Sequence, residues 1–143
     1  MTMILHLAPV HIWSVVVATV ASFAVSSLWY SPILFGREWM RLRGTSVNEL
    51  DDAVNLGIWK RYVGQLISNL VLFTALGFFI FDTGSATAGD GMLVALIVWI
   101  GFSVTTAVGD MLWNKTPLKL ALINEICTLV SLIVGGAIIG GWR

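Results

Sequence analysis

Charge is scarce in this chain. Asp, Glu, Lys and Arg make up 11% of its 143 residues, hydrophobic types make up 57%, and the mean hydropathy is +0.89. Soluble domains usually carry about 25% charged residues. A water-soluble fold with so few charges could not cover its own surface, which excludes that class. Cysteine is nearly absent as well. The single Cys127 excludes an internal disulfide, and it lies in an apolar run, where it reads as a packing residue. An excess of either charge sign is lacking too, since 8 basic residues balance 8 acidic ones, so no nucleic-acid partner is expected. No Lys or Arg precedes the first apolar run, which removes the basic region of a signal peptide, and the run is expected to stay as a helix.

Catalytic signatures are missing. There is no Ser-His-Asp arrangement, phosphate-binding glycine loop or CxxC pair, so neither an enzyme nor a cofactor is expected. His6 and His11 are five residues apart, share no helix face and have no carboxylate or thiol beside them in sequence. No metal site is expected there.

What the chain does have is four long apolar runs. A helix needs roughly 20 mainly apolar residues to cross a hydrocarbon core of about 30 Å. The runs predict an all-α integral membrane protein, with four transmembrane helices in an antiparallel bundle and a single domain over 1–143. The spans fall at about 11–30, 61–81, 92–113 and 118–139, with a connection over 31–60. Trp13 at one end of the first run and Trp29–Tyr30 at the other suit the two interfacial belts. Within the connection, Leu34, Phe35 and Trp39 alternate with basic residues and predict a short interfacial helix over 33–42, stopped by Gly44. Ser46 and Glu49 have capping-box spacing and predict a further helix over 47–58. The glycines of 82–91 predict a turn, and Pro117 marks another at 114–119.

Lys and Arg are unevenly placed. The connection between the first two runs holds Arg37, Arg41, Arg43, Lys60 and Arg61. The one between the last two holds Lys115 and Lys119, which leaves Arg143 alone on the other side. The positive-inside rule then puts these two connections in the cytoplasm and both termini outside.

Polar residues collect at the basic end of every run. Gln65 and Asn69 are four apart near the start of the second. Thr106, Asp110 and Asn114 form a ladder near the end of the third, and Asn124, Glu125 and Thr128 open the fourth. Together, Gln65, Asn69, Thr106, Asp110, Asn124 and Glu125 predict a polar pocket opening to the cytoplasm. A carboxylate within a span costs about 2.5–3.5 kcal/mol on insertion scales, so it faces partners or water. Two readings of Asp110 and Glu125 stay open. One is a binding or proton-coupling site. The other is interhelical hydrogen bonding, with Asp110 snorkelling toward Lys115. Small residues at spacing four, namely Gly101, Thr105 and Gly109, then Gly136 and Gly140, let helices approach closely. They fit intramolecular packing or the seam of a homo-oligomer.

Two stretches carry a resemblance. One is Trp29-Tyr30-Ser31-Pro32, followed by Phe35-Gly36 and Trp39. The other joins Gly101-Phe102-Ser103-Val104-Thr105-Thr106 to Leu118–Asn124 and Gly135–Gly140. In order and extent they resemble the bacterial membrane family known as domain of unknown function seventeen-sixty-one. The resemblance implies a small multi-helix inner-membrane protein and no particular reaction. In that family's pattern Ala or Gly follows the Ile-Asn pair, so Glu125 departs from it and no role carries over to this residue. By its residues alone, the block Trp29, Tyr30, Ser31, Pro32, Phe35, Gly36 and Trp39 reads as an interfacial anchor that turns and packs against the bundle.

The functional expectation is a non-catalytic bundle in the bacterial inner membrane whose partner is the lipid bilayer. Its polar pocket is expected to hold a small molecule or lipid. A small proton-coupled transporter or channel, and an accessory subunit of a membrane complex, remain as alternatives.

Overall fold

The computed structural model describes residues 10–45, 49 and 57–142. Among them are helices α1 (Ile12–Trp29), α2 (Gly36–Arg43), α3 (Ile58–Asp82), α4 (Ala88–Val98), α5 (Thr105–Trp113) and α6 (Leu118–Gly141). A π-helical segment, Trp99–Val104, joins α4 to α5 without interrupting the rod. No strand occurs among the described residues. Four helical stretches are long and apolar enough to cross a membrane: α1, α3, the joined rod Ala88–Trp113, and α6. Their outward faces carry exposed Val20, Ile67, Val71, Leu93 and Ile97, which suit lipid rather than water.

Helix ends follow local chemistry and move some expected boundaries. α2 begins at Gly36, three residues later than expected, because residues 30–35 fold into a tight turn around Pro32. It stops where Gly44 takes φ 73°. There the Gly44 N–H bonds Arg41 O and the Thr45 N–H bonds Met40 O, which satisfies two terminal carbonyls. Most of the helix expected over 47–58 lies outside the described residues. It cannot run through Ile58, because Gly57 sits at φ 95° and Ile58 starts α3. The third span starts at Ala88 rather than Met92. Thr87 accepts from the Asp90 N–H at 3.1 Å, and the Asp90 carboxylate accepts from the Thr87 N–H at 3.2 Å. This reciprocal cap draws Gly89 and Gly91 into the first helical turn.

α6 is the axis of the fold and touches every other described helix. Its buried positions include Cys127, Ser131, Gly135, Gly136 and Gly140. The apolar core joins Val15 and Ala18 of α1, Phe73, Leu76 and Ile80 of α3, Ala95 of α4, and Leu132 and Ile139 of α6. Lipid tails are as apolar as these side chains, so burial from lipid gives little driving force and close packing has to hold the helices. Glycine provides that at the α4–α6 crossing. A Cβ on Gly136 would lie 2.5 Å from the Gly91 carbonyl oxygen, and one on Gly140 would lie 2.5 Å from that of Thr87. A Cβ on Gly135 would strike the Phe73 ring.

Candidate functional site

The segment after α1 folds back on itself. The Phe35 N–H bonds Trp29 O at 3.0 Å, and the Gly36 N–H bonds Ser31 O at 3.0 Å. The Trp29 and Phe35 rings sit 4.5 Å apart. Gly36 is required here, since a Cβ would meet the Ser31 carbonyl oxygen at 2.7 Å and lie still closer to that of Tyr30. The folded turn then docks on the start of α6. Trp29 Nε1 donates to Ile123 O at 3.0 Å. Tyr30 Oη donates at 2.9 Å, and Trp39 Nε1 at 3.1 Å, to the same Asn124 Oδ1. Asn124 is thus a peg for two aromatic side chains that themselves pack edge to face at 5.6 Å.

A charge pair closes the dock. Glu38 of α2 meets Lys119 of α6 at 2.6 Å and also pairs with Arg41 on its own helix. The Arg41 hydrogen bond, followed by the Lys119 one, holds the Glu38 carboxyl down to about 2. The connections after the first and third spans therefore meet at one end of the bundle.

The six residues expected to share one pocket divide between two clefts. Thr106, Asp110, Asn124 and Glu125 line a cleft of about 350 Å³, whereas Gln65 and Asn69 line one of about 610 Å³. Leu72 and Thr128 line both, so the two clefts adjoin. The single pocket expected from sequence is therefore two spaces. Each polar residue belongs to whichever one its helix face reaches.

In the smaller cleft most polar groups already have partners. Glu125 Oε2 accepts from Ser103 Oγ at 2.7 Å, and the Glu125 carbonyl accepts from Trp99 Nε1 at 3.0 Å. Trp99 and Ser103 both belong to the π-helical segment, so this segment is pinned to α6 at one residue. The Thr106 hydroxyl is spent on Phe102 O at 2.7 Å. Asp110 is exposed and accepts from Asn114 Nδ2 at 2.7 Å. The expected Asp110–Lys115 pairing is replaced by this bond: among the described residues Asp110 has no ion pair, and the chain turns at Lys115 with φ 55°.

The larger cleft lies among α1, α3 and α6, and its needs are unmet. Gln65 Nε2 donates to Asn69 Oδ1 at 2.9 Å. Asn69 and Ser131 are each only 6% exposed. Among the described residues, Asn69 Nδ2 and Ser131 Oγ have no hydrogen-bond partner, and the Cys127 thiol beside Ser131 is at most a weak one. A buried polar atom without a partner costs about 1–3 kcal/mol.

Sequence reasoning passed over Ser103, Ser131 and Trp99, and read Arg61 only as a topology marker. A signal for Ser131 was present, because Asn124, Cys127, Thr128 and Ser131 recur at helical spacing and draw one polar stripe down α6. Ser103 gave none, since its reach to Glu125 depends on the π-helical segment. The family model described as protein of unknown function (DUF1761) matches residues 13–140. No curated protein and no solved structure matches the chain.

Proposed function

Since the chain belongs to the DUF1761 family, whose description names no activity, its function has to be argued from the site, and we propose a non-catalytic membrane bundle that holds an amphiphilic small molecule or lipid in the larger polar cleft. The observation that carries this reading is the pair of buried, unpartnered atoms, Asn69 Nδ2 and Ser131 Oγ, on two residues that line one cleft of about 610 Å³. Nearly all buried polar groups in proteins are paired, so two in one space call for an occupant. The apolar exterior and the four spans make the bilayer its surroundings. The basic connections lie on the side of the cleft, and the positive-inside rule assigns that side to the cytoplasm, with both termini opposite.

Native mass spectrometry of the full chain from mild detergent tests this. Wild type is expected to carry a retained small amphiphile, and Asn69→Leu is expected to lose it while still folding. A wild type that never retains or takes up any amphiphile overturns the reading.

A second reading rests on a separate observation. The Glu125 carboxylate lines the smaller cleft, held by Ser103, with no Lys or Arg among that cleft's lining residues. Such a carboxylate suits proton-coupled movement of a cation. In reconstituted vesicles, Glu125→Gln is then expected to abolish flux driven by a pH gradient. Flux that is unchanged in Glu125→Gln removes this reading.

A further inference from the structure

The two clefts differ in charge. Asp110 and Glu125 line the smaller one, which has no Lys or Arg in its lining. The larger one has the reverse character. Arg61 lines it at the first turn of α3, with no Asp or Glu in the lining. Among the described residues Arg61 forms no ion pair. Asn69 lies two helical turns deeper on α3, about 12 Å along the axis at 1.5 Å per residue. Phe23 and Tyr62 meet edge to face at 5.9 Å between α1 and α3, and with Leu72 they give the cleft apolar wall. The cleft is therefore lined by a cation, by two residues, Asn69 and Ser131, that each hold a buried unmet hydrogen-bonding group, and by apolar surface.

We infer that the larger cleft selects an anionic amphiphile, a conclusion that rests on the binding reading above. Its phosphate or carboxylate head sits against Arg61. An ester or hydroxyl oxygen takes the bond offered by Asn69 Nδ2 and meets Ser131 Oγ. Its hydrocarbon leaves across Phe23, Tyr62 and Leu72. The unmet bond does not depend on which way the Asn69 carboxamide is turned. In either orientation one of its atoms is bonded to Gln65 and the other is left unpaired, and a ligand hydroxyl satisfies both cases. The smaller cleft, lined by carboxylates, repels the same head group.

Binding of defined lipids to the delipidated full-length chain tests this. The probes are phosphatidylglycerol, phosphatidylcholine with the same acyl chains, oleate and inorganic phosphate. Phosphatidylglycerol or oleate is expected to bind about tenfold more tightly than phosphatidylcholine, whose choline cation offsets its own phosphate charge beside Arg61. Tighter phosphatidylglycerol identifies a bilayer phospholipid as the source, and tighter oleate identifies a free fatty acid. Either supports the class. Arg61→Gln is expected to erase the preference, weakening phosphatidylglycerol and oleate more than phosphatidylcholine. Asn69→Leu is expected to weaken every lipid, with an unfolding midpoint at or above that of wild type. Equal binding of phosphatidylglycerol and phosphatidylcholine, or a preference that survives in Arg61→Gln, overturns this inference and leaves the binding reading standing. Inorganic phosphate that competes as well as the lipids also overturns it. Absence of binding by all probes overturns both.

Discussion

The third span is two different helices in one rod. Its first part, α4, buries Gly91 and Ala95 against α6, with backbone meeting backbone at Gly136 and Gly140. Its last part, α5, buries nothing. In the rod's apolar window only 11% of the residues are buried, against 39% in that of α6. The π-helical segment stands between the two parts, pinned to Glu125 by Trp99 and Ser103. The contrast separates two ways of holding helices together in lipid. At the apolar end the absence of side chains lets backbones touch, and dispersion does the rest. At the polar end hydrogen bonds cross between elements, and the helices stand far enough apart to leave space. The closed end makes a scaffold, and the open end makes clefts.

The sharpest way to break this contrast is to place the same methyl group in both halves. Gly136→Ala puts a Cβ 2.5 Å from the Gly91 carbonyl oxygen. Because backbone must shift to admit it, a loss of about 3 kcal/mol is expected, near the upper end for overpacking. Gly109→Ala, in α5, meets nothing within 4 Å. It is expected to be neutral or to gain up to about 1 kcal/mol from helix propensity. Denaturant unfolding in detergent reads both, and equal losses would dissolve the distinction between the halves.

Removal of the polar peg comes next in size. Asn124→Leu leaves Tyr30 Oη and Trp39 Nε1 without their acceptor, and a loss of about 2 kcal/mol is expected in the same assay. Tyr30→Phe, which removes one donor and leaves the acceptor with Trp39, is expected to cost less than Asn124→Leu. An order reversed between these variants would mean that the aromatic dock is not hung on Asn124.

The smallest effect is acidic. Glu38 has its carboxyl lowered from an ordinary 4.5 to about 2 by Arg41 and Lys119. A lowered carboxyl gives stability that is complete above the unfolded value and disappears as pH falls through the folded one. The Glu38–Lys119 tie should therefore hold above pH 4.5 and release between 4.5 and about 2. Since Glu38 is 28% exposed and Lys119 63%, salt should weaken the effect. Glu38→Gln is expected to flatten this part of the pH profile. An unaltered profile would assign it to other carboxylates.

The same contrast governs what could be read in advance. The four spans were legible because an apolar run of the right length has few alternatives. The polar layer was legible because Gln65 with Asn69, and Asp110 with Asn114, stand four residues apart. In the structure both pairs are bonded along their own helices. The division into two clefts was not legible. It depends on the crossings of α6 with its neighbours, which decide whether Asn69 and Glu125 look into the same space. The start of α4 was misplaced because Gly89 and Gly91 read as a turn, whereas the Thr87–Asp90 cap and the Gly136 crossing require them inside a helix. The π-helical segment has no signature in composition, and it is what brings Ser103 to Glu125.

The central claim is that the open end is built to be filled, and thermal unfolding of Asn69→Leu beside wild type tests it most directly. Both chains are measured delipidated and again with phosphatidylglycerol. With no lipid, Asn69→Leu should unfold at a higher Tm than wild type, because it removes a buried group whose unmet bond costs about 1 kcal/mol or more. With lipid, the Tm of wild type should rise and that of Asn69→Leu should rise less. A variant that unfolds below wild type by the same margin in both conditions would contradict the account and make Asn69 a structural tie between helices.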